Sequence, residues 1–391
     1  MLTDIRYAVP LLAVAINIAS LAYLVTAIWR VHGFRHQRLA TGTFRPPVTI
    51  LIPVCGLAPG LYRNLRLFCS QDYPEYQIIV GVRDPTDPAI PVVRHLIAAY
   101  PQVDVSLVID ETVIGPNLKV SNLANMYRIA KHPFVAIADS DMRVDRHYAS
   151  TVVPPLDDAR VGLVTCPYSG TPTGGLASLL ASMSINEWFL PSVLVSAGLR
   201  EIRFGLGATI VIRRDLLDRL GGFATLSRHL ADDNMLGKLA TANGFKVVLS
   251  GYVVENIVYE KSLWALFKHE LRWARTIRAV EPLGHAFSFL MYGVPLGLIG
   301  FAIVDAAFDW ERLGLSLLGV AVALRVGMHF AVDRKLGIKP PARSVLLVPL
   351  RDILSFLVWC TSFLSRRVDW KDNSFEVSPV GTIELKRGFE A

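Results

Sequence analysis

Apolar residues in this chain fall into runs of two lengths. The short runs are Val48–Val54 (VTILIPV), Tyr76–Val82 (YQIIVGV), 103–109, Phe134–Ala138 (FVAIA), Val161–Thr165 (VGLVT), 208–212 (ATIVI) and 246–250. Each is rich in β-branched residues and bounded by turn formers, as buried strands are. Between them lie stretches with helical spacing, at 56–69, 89–100, 119–130, 216–223, 231–242 and 262–280. Strands alternating with helices at these lengths predict an α/β sheet with parallel strands. The long runs are different. Residues 8–29 and 286–304 carry no charge, 313–332 is broken only by Arg325, and 345–364 by Pro349, Arg351 and Asp352. Each is long enough to cross a bilayer.

The first long run lacks the short apolar core and small-residue cleavage site of a signal peptide, so it reads as an uncleaved anchor. The division that follows is an anchor over 1–39, an α/β domain over 40–283, and a C-terminal membrane region with a tail over 284–391. Composition agrees: 52% of residues are hydrophobic and only 19% charged, against a usual ~25% charged. The net charge of +7 does not call for nucleic acid. Much of it flanks the apolar runs, in Arg30, Arg35 and Arg38, in 333–343, and in Arg366 and Arg367. Basic flanks mark the cytoplasmic side of a membrane, and only Arg6 precedes the anchor. The domain after it is therefore expected in the cytoplasm, with 309–312 on the far side. The last run, basic at both ends, is expected to re-enter or lie in the interface, leaving Ala391 cytoplasmic. The four cysteines show neither a CxxC pair nor a disulfide framework.

Candidate chemistry sits at the ends of the short elements. Asp139 and Asp141 end the run 134–144 (FVAIADSDMRV). Such a turn can simply cap a strand, but carboxylates at the C-terminal edge of an α/β sheet stand where ligands bind. Spaced i, i+2, they offer hard oxygens to Mg²⁺ or Mn²⁺ carrying a diphosphate. Asp84, after the second strand in GVRDPTDPA, is either a loop acceptor or a contact for a nucleoside. Asp232 and Asp233 open a helix, where acids favour the dipole; one of them can equally serve as a general base. Lys119, at a helix start in GPNLKVSNL, can approach a phosphate. Arg272-Trp273 with Arg275 lie on the basic amphipathic stretch 262–280, suited to a membrane interface or to a diphosphate. No P-loop, GxGxxG, HExxH or GxSxG pattern is present.

Together these residues carry a resemblance. The series Asp84, Asp139, Asp233 and Arg272-Trp273 behind an N-terminal anchor resembles the D, D, D, (Q/R)xxRW pattern of family 2-like inverting glycosyltransferases. More closely, GVRDPTDPA, GPNLKVSNL, IADSDMRV, VGLVTCPY, ADDNMLGK and LRWART are similar to the ceramide glucosyltransferase family (family 21) and its bacterial relatives of hopanoid biosynthesis. The resemblance covers roughly residues 10–335 and implies a GT-A catalytic domain: a Rossmann-like mixed sheet, cytoplasmic, between N- and C-terminal transmembrane helices. It implies Asp84 at the uridine of a UDP-sugar, Asp139 and Asp141 at a metal-bound diphosphate (Mg²⁺ or Mn²⁺), and Asp233 as base with Asp232 beside it. Lys119 joins the substrate-binding set. Arg272 and Trp273 would hold the leaving diphosphate and the acceptor region, and the (Q/R) position is His269 here.

The function implied is transfer of glucose or N-acetylglucosamine from a UDP-sugar to a lipid hydroxyl, a ceramide or a hopanoid, at a bacterial inner membrane. A processive polysaccharide synthase needs more spans to form a channel. A non-catalytic scaffold needs none of the aspartates.

Overall fold

The computed structural model describes residues 2–36, 42–308, 310–339, 341–370, 373–378 and 381–385. The boundary at 39/40, Asp309 and Ala391 fall outside them. The chain divides into two compact units: one holds Arg35–Thr173, Leu199–Tyr259 and Arg367–Ala391, the other Met1–Phe34, Gly174–Gly198 and Glu260–Arg366.

The first unit is built on a seven-stranded sheet. Its strands are β1 (Val48–Val54), β2 (Tyr76–Val82), β3 (Asp104–Ile109), β4 (Phe134–Ala138), β6 (Val161–Thr165), β8 (Thr209–Arg213) and β9 (Lys246–Leu249), in the order β3-β2-β1-β4-β8-β6-β9. The continuous apolar runs of β1, β2 and β4 are buried almost throughout, as strands covered on both faces require. β1, β2, β3 and β4 are parallel. The strand order turns back between β1 and β4, and ligands of open α/β sheets bind beyond the strand ends at such a point.

β8 runs antiparallel to both β4 and β6, so the sheet is mixed, as the resemblance to GT-A enzymes implied. The reversal has a local effect: Thr209 pairs with Ala138, so the segment leading into β8 arrives at the edge where β4 ends in Asp139.

Two small sheets complete this unit. β5 (Met142–Arg143) pairs antiparallel with β10 (Val254–Val258), which runs parallel to β7 (Tyr168–Pro172). Near the C-terminus β11 (Arg367–Trp370), β12 (Asn373–Val377) and β13 (Ile383–Leu385) form an antiparallel meander. Thr382 bridges to His229, and Leu230 N–H and Ile383 N–H bond the carbonyls of Gly381 and Arg228.

The second unit is helical. Among the described residues four helices are long and apolar enough to cross a membrane: Tyr7–Gly33, Leu176–Leu199, Glu311–Leu336 and Ala342–Ser362. The expected span 286–304 is instead a pair, Pro282–Met291 and Gly293–Ala307, bent by 70°. Leu176–Leu199 was not expected; Pro191 and the polar Asn186 and Glu187 mask it in sequence, and a π-helical turn runs through Ile185–Phe189. Small and polar residues set the packing, as they do where helices gain nothing from hydrophobic exclusion. Gly297 lies against Leu318 and Gly314 against Phe301, while the buried Asn17 amide donates to the Leu296 carbonyl at 3.1 Å.

The charges that interrupt the apolar runs face inward. Arg325 pairs with Asp352 at 2.9 Å, Arg351 with Glu270 at 2.6 Å, and His329 with Glu187 at 2.7 Å. Trp188 Nε1–H donates to Asp352 at 2.7 Å.

Candidate active site

The helix Leu118–Tyr127 brings Lys119 to the C-terminal edge of the sheet. It packs on β2 at Gly81, where a Cβ would lie 2.3 Å from Asn122 Oδ1 and 2.5 Å from Met126. Only a glycine there lets the helix come this close. The Asn122 amide then donates to the Gly81 carbonyl at 2.8 Å. Asn117 caps the helix, accepting from Val120 N–H at 3.1 Å, as helix-starting asparagines do. Its amide donates onward to the His229 carbonyl at 2.8 Å and to Asp232 at 3.3 Å. One side chain thus ties the start of this helix to the loop before Asp232.

Asp139 and Asp141 flank a turn held from three sides. Met142 N–H bonds the Asp139 carbonyl and Ile257 N–H bonds the Asp141 carbonyl at 2.9 Å, while the Asn64 amide reaches the Ser140 carbonyl at 3.3 Å. The Asp139 carboxylate receives the Lys119 ammonium at 2.6 Å, with the two side chains 31% and 20% exposed. Asp141 Oδ1 is buried with no hydrogen-bond partner. Burial, then the neighbouring charge of Asp139, raises the Asp141 carboxyl to about 6.

Asp232 and Asp233 open the helix Asp232–Ala242. That helix packs through Gly237 against Phe204, and Gly205 N–H bonds the Asp233 carbonyl at 3.1 Å. Burial, then the Asp232 charge, raises Asp233 to about 6; burial likewise raises Asp232. For Lys119, burial works to lower the ammonium, but Asp139, Asp232 and Asp233 outweigh it and raise it.

These groups converge at Gly207, in the lead-in to β8. A Cβ there would lie 3.3 Å from Asp233 Oδ2, 3.6 Å from Asp139 Oδ2 and 3.8 Å from Lys119 Nζ. The structure therefore brings Lys119, Asp139, Asp232 and Asp233 together. Gly207 escaped the sequence because only the antiparallel direction of β8 puts it there. Asn117 was visible in GPNLKVSNL but carried no sign of its two-way bonding. No group of three or more His, Cys, Asp or Glu placed to hold a metal occurs among the described residues.

Asp84 stands apart at the end of β2, exposed, accepting from Thr86 N–H at 2.8 Å and its hydroxyl at 2.6 Å. Those bonds hold its carboxyl below the usual range. Asp87 next to it fixes the turn, accepting from Gly56 N–H and Ala89 N–H.

His269, Arg272 and Trp273 lie in the other unit, on the helix Leu263–Val280. His269 Nδ1 is 2.6 Å from Glu260, and its ring meets Trp273 edge-on with centroids 4.5 Å apart. Nothing in the sequence pointed to Glu260, nine residues upstream.

Comparison with known proteins gives this arrangement a family. Ceramide glucosyltransferase 3 of Caenorhabditis elegans is 24% identical over 372 residues, 89% of this chain and 76% of that protein. A ceramide glucosyltransferase of Gibberella zeae is 36% identical over 137 residues, 32% of this chain and 26% of its own. Among solved structures, a mannosyltransferase from Pyrobaculum calidifontis, determined with GDP-Man and Mn²⁺, shares the fold with a TM-score of 0.53 at 20% identity, over 89% of this chain and 97% of that one. The family described as Glycosyl transferase family 21 matches residues 12–383. The chain belongs to that family.

Proposed function

We propose that this glycosyltransferase moves a hexose, glucose or N-acetylglucosamine, from a UDP-sugar to the hydroxyl of a membrane lipid of the ceramide or hopanoid type, with inversion at the anomeric carbon. The observation that carries the reading is the meeting of Asp139, Asp233 and Lys119 around Gly207 at the sheet edge. It supplies a diphosphate site and a carboxylate within one pocket of charge. The similarity to ceramide glucosyltransferases supports the lipid acceptor.

Asp233 takes the proton of the acceptor hydroxyl as its oxygen attacks C1 of the sugar. The bond from C1 to the diphosphate oxygen breaks, and UDP leaves with that electron pair. A carboxyl held near 6 suits a base working at neutral pH. Asp84 contacts the uridine. Lys119, with Arg272 and Trp273 by motif, steadies the leaving diphosphate, and His269 occupies the (Q/R) position. Asp232 keeps Asp233 from too low a value through its like charge.

The residues also fit a divalent cation. Asp141 Oδ1 is a buried oxygen without a partner, Asp139 offers hard oxygens beside it, and Mg²⁺ is commonly held by one or two carboxylates plus substrate phosphates. Asp139 and Asp141 would hold Mg²⁺ or Mn²⁺, which when bound neutralises charge on the departing diphosphate.

Chain connectivity supports a membrane topology. The stretches Gly174–Gly198 and Glu260–Arg366 both leave the sheet unit and return to it. A body folded on one side of a membrane requires each excursion to cross an even number of times or not at all. Leu176–Leu199 is then no lone crossing, and the meander of β11, β12 and β13 belongs with the sheet. The basic residues after the anchor put that side in the cytoplasm, at the inner membrane of a bacterial cell.

The test is direct: purified protein in lipid nanodiscs, UDP-glucose and UDP-N-acetylglucosamine in turn, and ceramide or hopanoid acceptors, with glycolipid product read by mass spectrometry. Product with inverted configuration is expected. Absence of any sugar–lipid product with all four pairings contradicts the reading.

A further inference from the structure

The acidic cluster carries its own cation. Lys119 Nζ lies 2.6 Å from Asp139 Oδ1, on one of the two carboxylates assigned above to a divalent ion. An ammonium on Asp139 and a divalent ion on the same carboxylate repel each other, so metal binding is weakened for as long as the ammonium stays. Metal binding is therefore favoured by moving the two cations apart, and the geometry says which group can move. The Asp139 backbone is held in the turn by Met142 N–H, with Ser140 and Asp141 tied to Asn64 and Ile257. The backbone of Lys119 is fixed too, by the Asn117 cap and by helix packing on Gly81. What remains free is the lysine stem, four methylenes long and rotatable. A side chain at position 207 would stand against the ammonium, since a Cβ there would lie 3.8 Å from Lys119 Nζ.

We propose that Lys119 is an exchangeable internal counter-cation. In the donor-free protein its ammonium holds Asp139. When a divalent cation takes Asp139 and Asp141, the ammonium turns away and meets the donor's diphosphate. Metal and nucleotide binding are thereby coupled: metal alone must displace the lysine, while metal arriving with a diphosphate gives the lysine a new partner. This rests on the metal and diphosphate reading of the site, but its test requires neither sugar transfer nor an acceptor.

Mn²⁺ affinity is measured on the intact protein in nanodiscs by electron paramagnetic resonance of free Mn²⁺, with and without UDP. For the natural protein, UDP should tighten Mn²⁺ binding at least about tenfold. Lys119→Met should bind Mn²⁺ alone at least about tenfold tighter than the natural protein, and gain less from UDP. Lys119→Arg, which keeps the charge, should stay near the natural protein. Equal or weaker Mn²⁺ binding by a folded Lys119→Met overturns the proposal.

Should that variant not fold, the natural protein supplies the second arm. Reductive methylation of Lys119, read by peptide mass spectrometry, should rise with Mn²⁺ alone and fall again when UDP is added. Reactivity unmoved by Mn²⁺ overturns the proposal equally. Coupled Mn²⁺ and UDP binding in a protein that makes no glycolipid would sink the transfer reading and leave this one standing.

Discussion

The two units each contain a cluster of charge, buried in the helical unit and half-buried in the sheet unit, and the clusters are built on opposite principles. In the helical unit three buried acids each face a base: Glu187 with His329, Asp352 with Arg325, Glu270 with Arg351. In the sheet unit four acids, Asp139, Asp141, Asp232 and Asp233, gather about the single ammonium of Lys119. Charge is costly to bury unless compensated. A cluster balanced in charge acts as structure. An unbalanced one holds surplus negative charge that a cation from solution can neutralise, and that surplus marks a site.

The contrast is broken most severely by taking the cation away. With excess chelator, turnover should fall to background, as it should with Asp139→Asn, measured as glycolipid formed per minute. Full turnover in chelator would mean that Lys119 alone balances the cluster sufficiently for catalysis.

The balanced cluster should respond through stability instead. Arg351→Met strands Glu270, which is buried, and should cost about 3–5 kcal/mol, read as a fall in unfolding midpoint in detergent. Arg351→Met combined with Glu270→Met should recover most of that loss, because the pair is replaced as a unit. If the double variant is worse than the single, the pair does more than compensate its own charges.

How much of this the sequence discloses depends on range. The strands of the large sheet, the helix beginning near Asp232, and the aspartates at strand ends are legible because local periodicity and turn chemistry encode them. The direction of β8 is not, since an apolar run such as TIVIR reads alike both ways, and with it Gly207 goes unseen. Leu176–Leu199 is obscured because Glu187 is apolar in effect only once His329 neutralises it from 142 residues away. Arg351 and Asp352 look like interruptions of a span for the same reason. Their partners lie far along the chain.

The pH dependence sharpens the comparison further. The Asp233 carboxyl, raised to about 6 from the ordinary 3.8 by burial and by Asp232, is protonated below that value and ionised above it. Only the ionised form accepts a proton, so turnover should fall as pH drops through about 6. Asp232→Asn removes the neighbouring charge and should move this limb to lower pH. A limb that stays put would separate the titration from Asp233.

The smallest effect expected is also the most diagnostic in sign. Folding raises the Asp232 carboxyl, so its ionised form is disfavoured in the folded protein at neutral pH. Asp232→Asn should leave the unfolding midpoint unchanged or raise it, by a gain on the order of 1 kcal/mol or less. Removing a charge from the balanced cluster does the reverse. A clear loss of stability would place Asp232 among compensated charges.

The central claim is that the surplus acid Asp233 is the base of a sugar transfer. It is tested most directly by Asp233→Asn, with UDP-sugar affinity measured by calorimetry and initial rate measured on a lipid acceptor. Donor affinity should stay close to that of the natural protein while the rate drops by ~10² to 10⁴, the usual cost of losing a general base. A variant that keeps most of its rate, with the loss appearing in Asp232→Asn instead or in neither, would contradict the account.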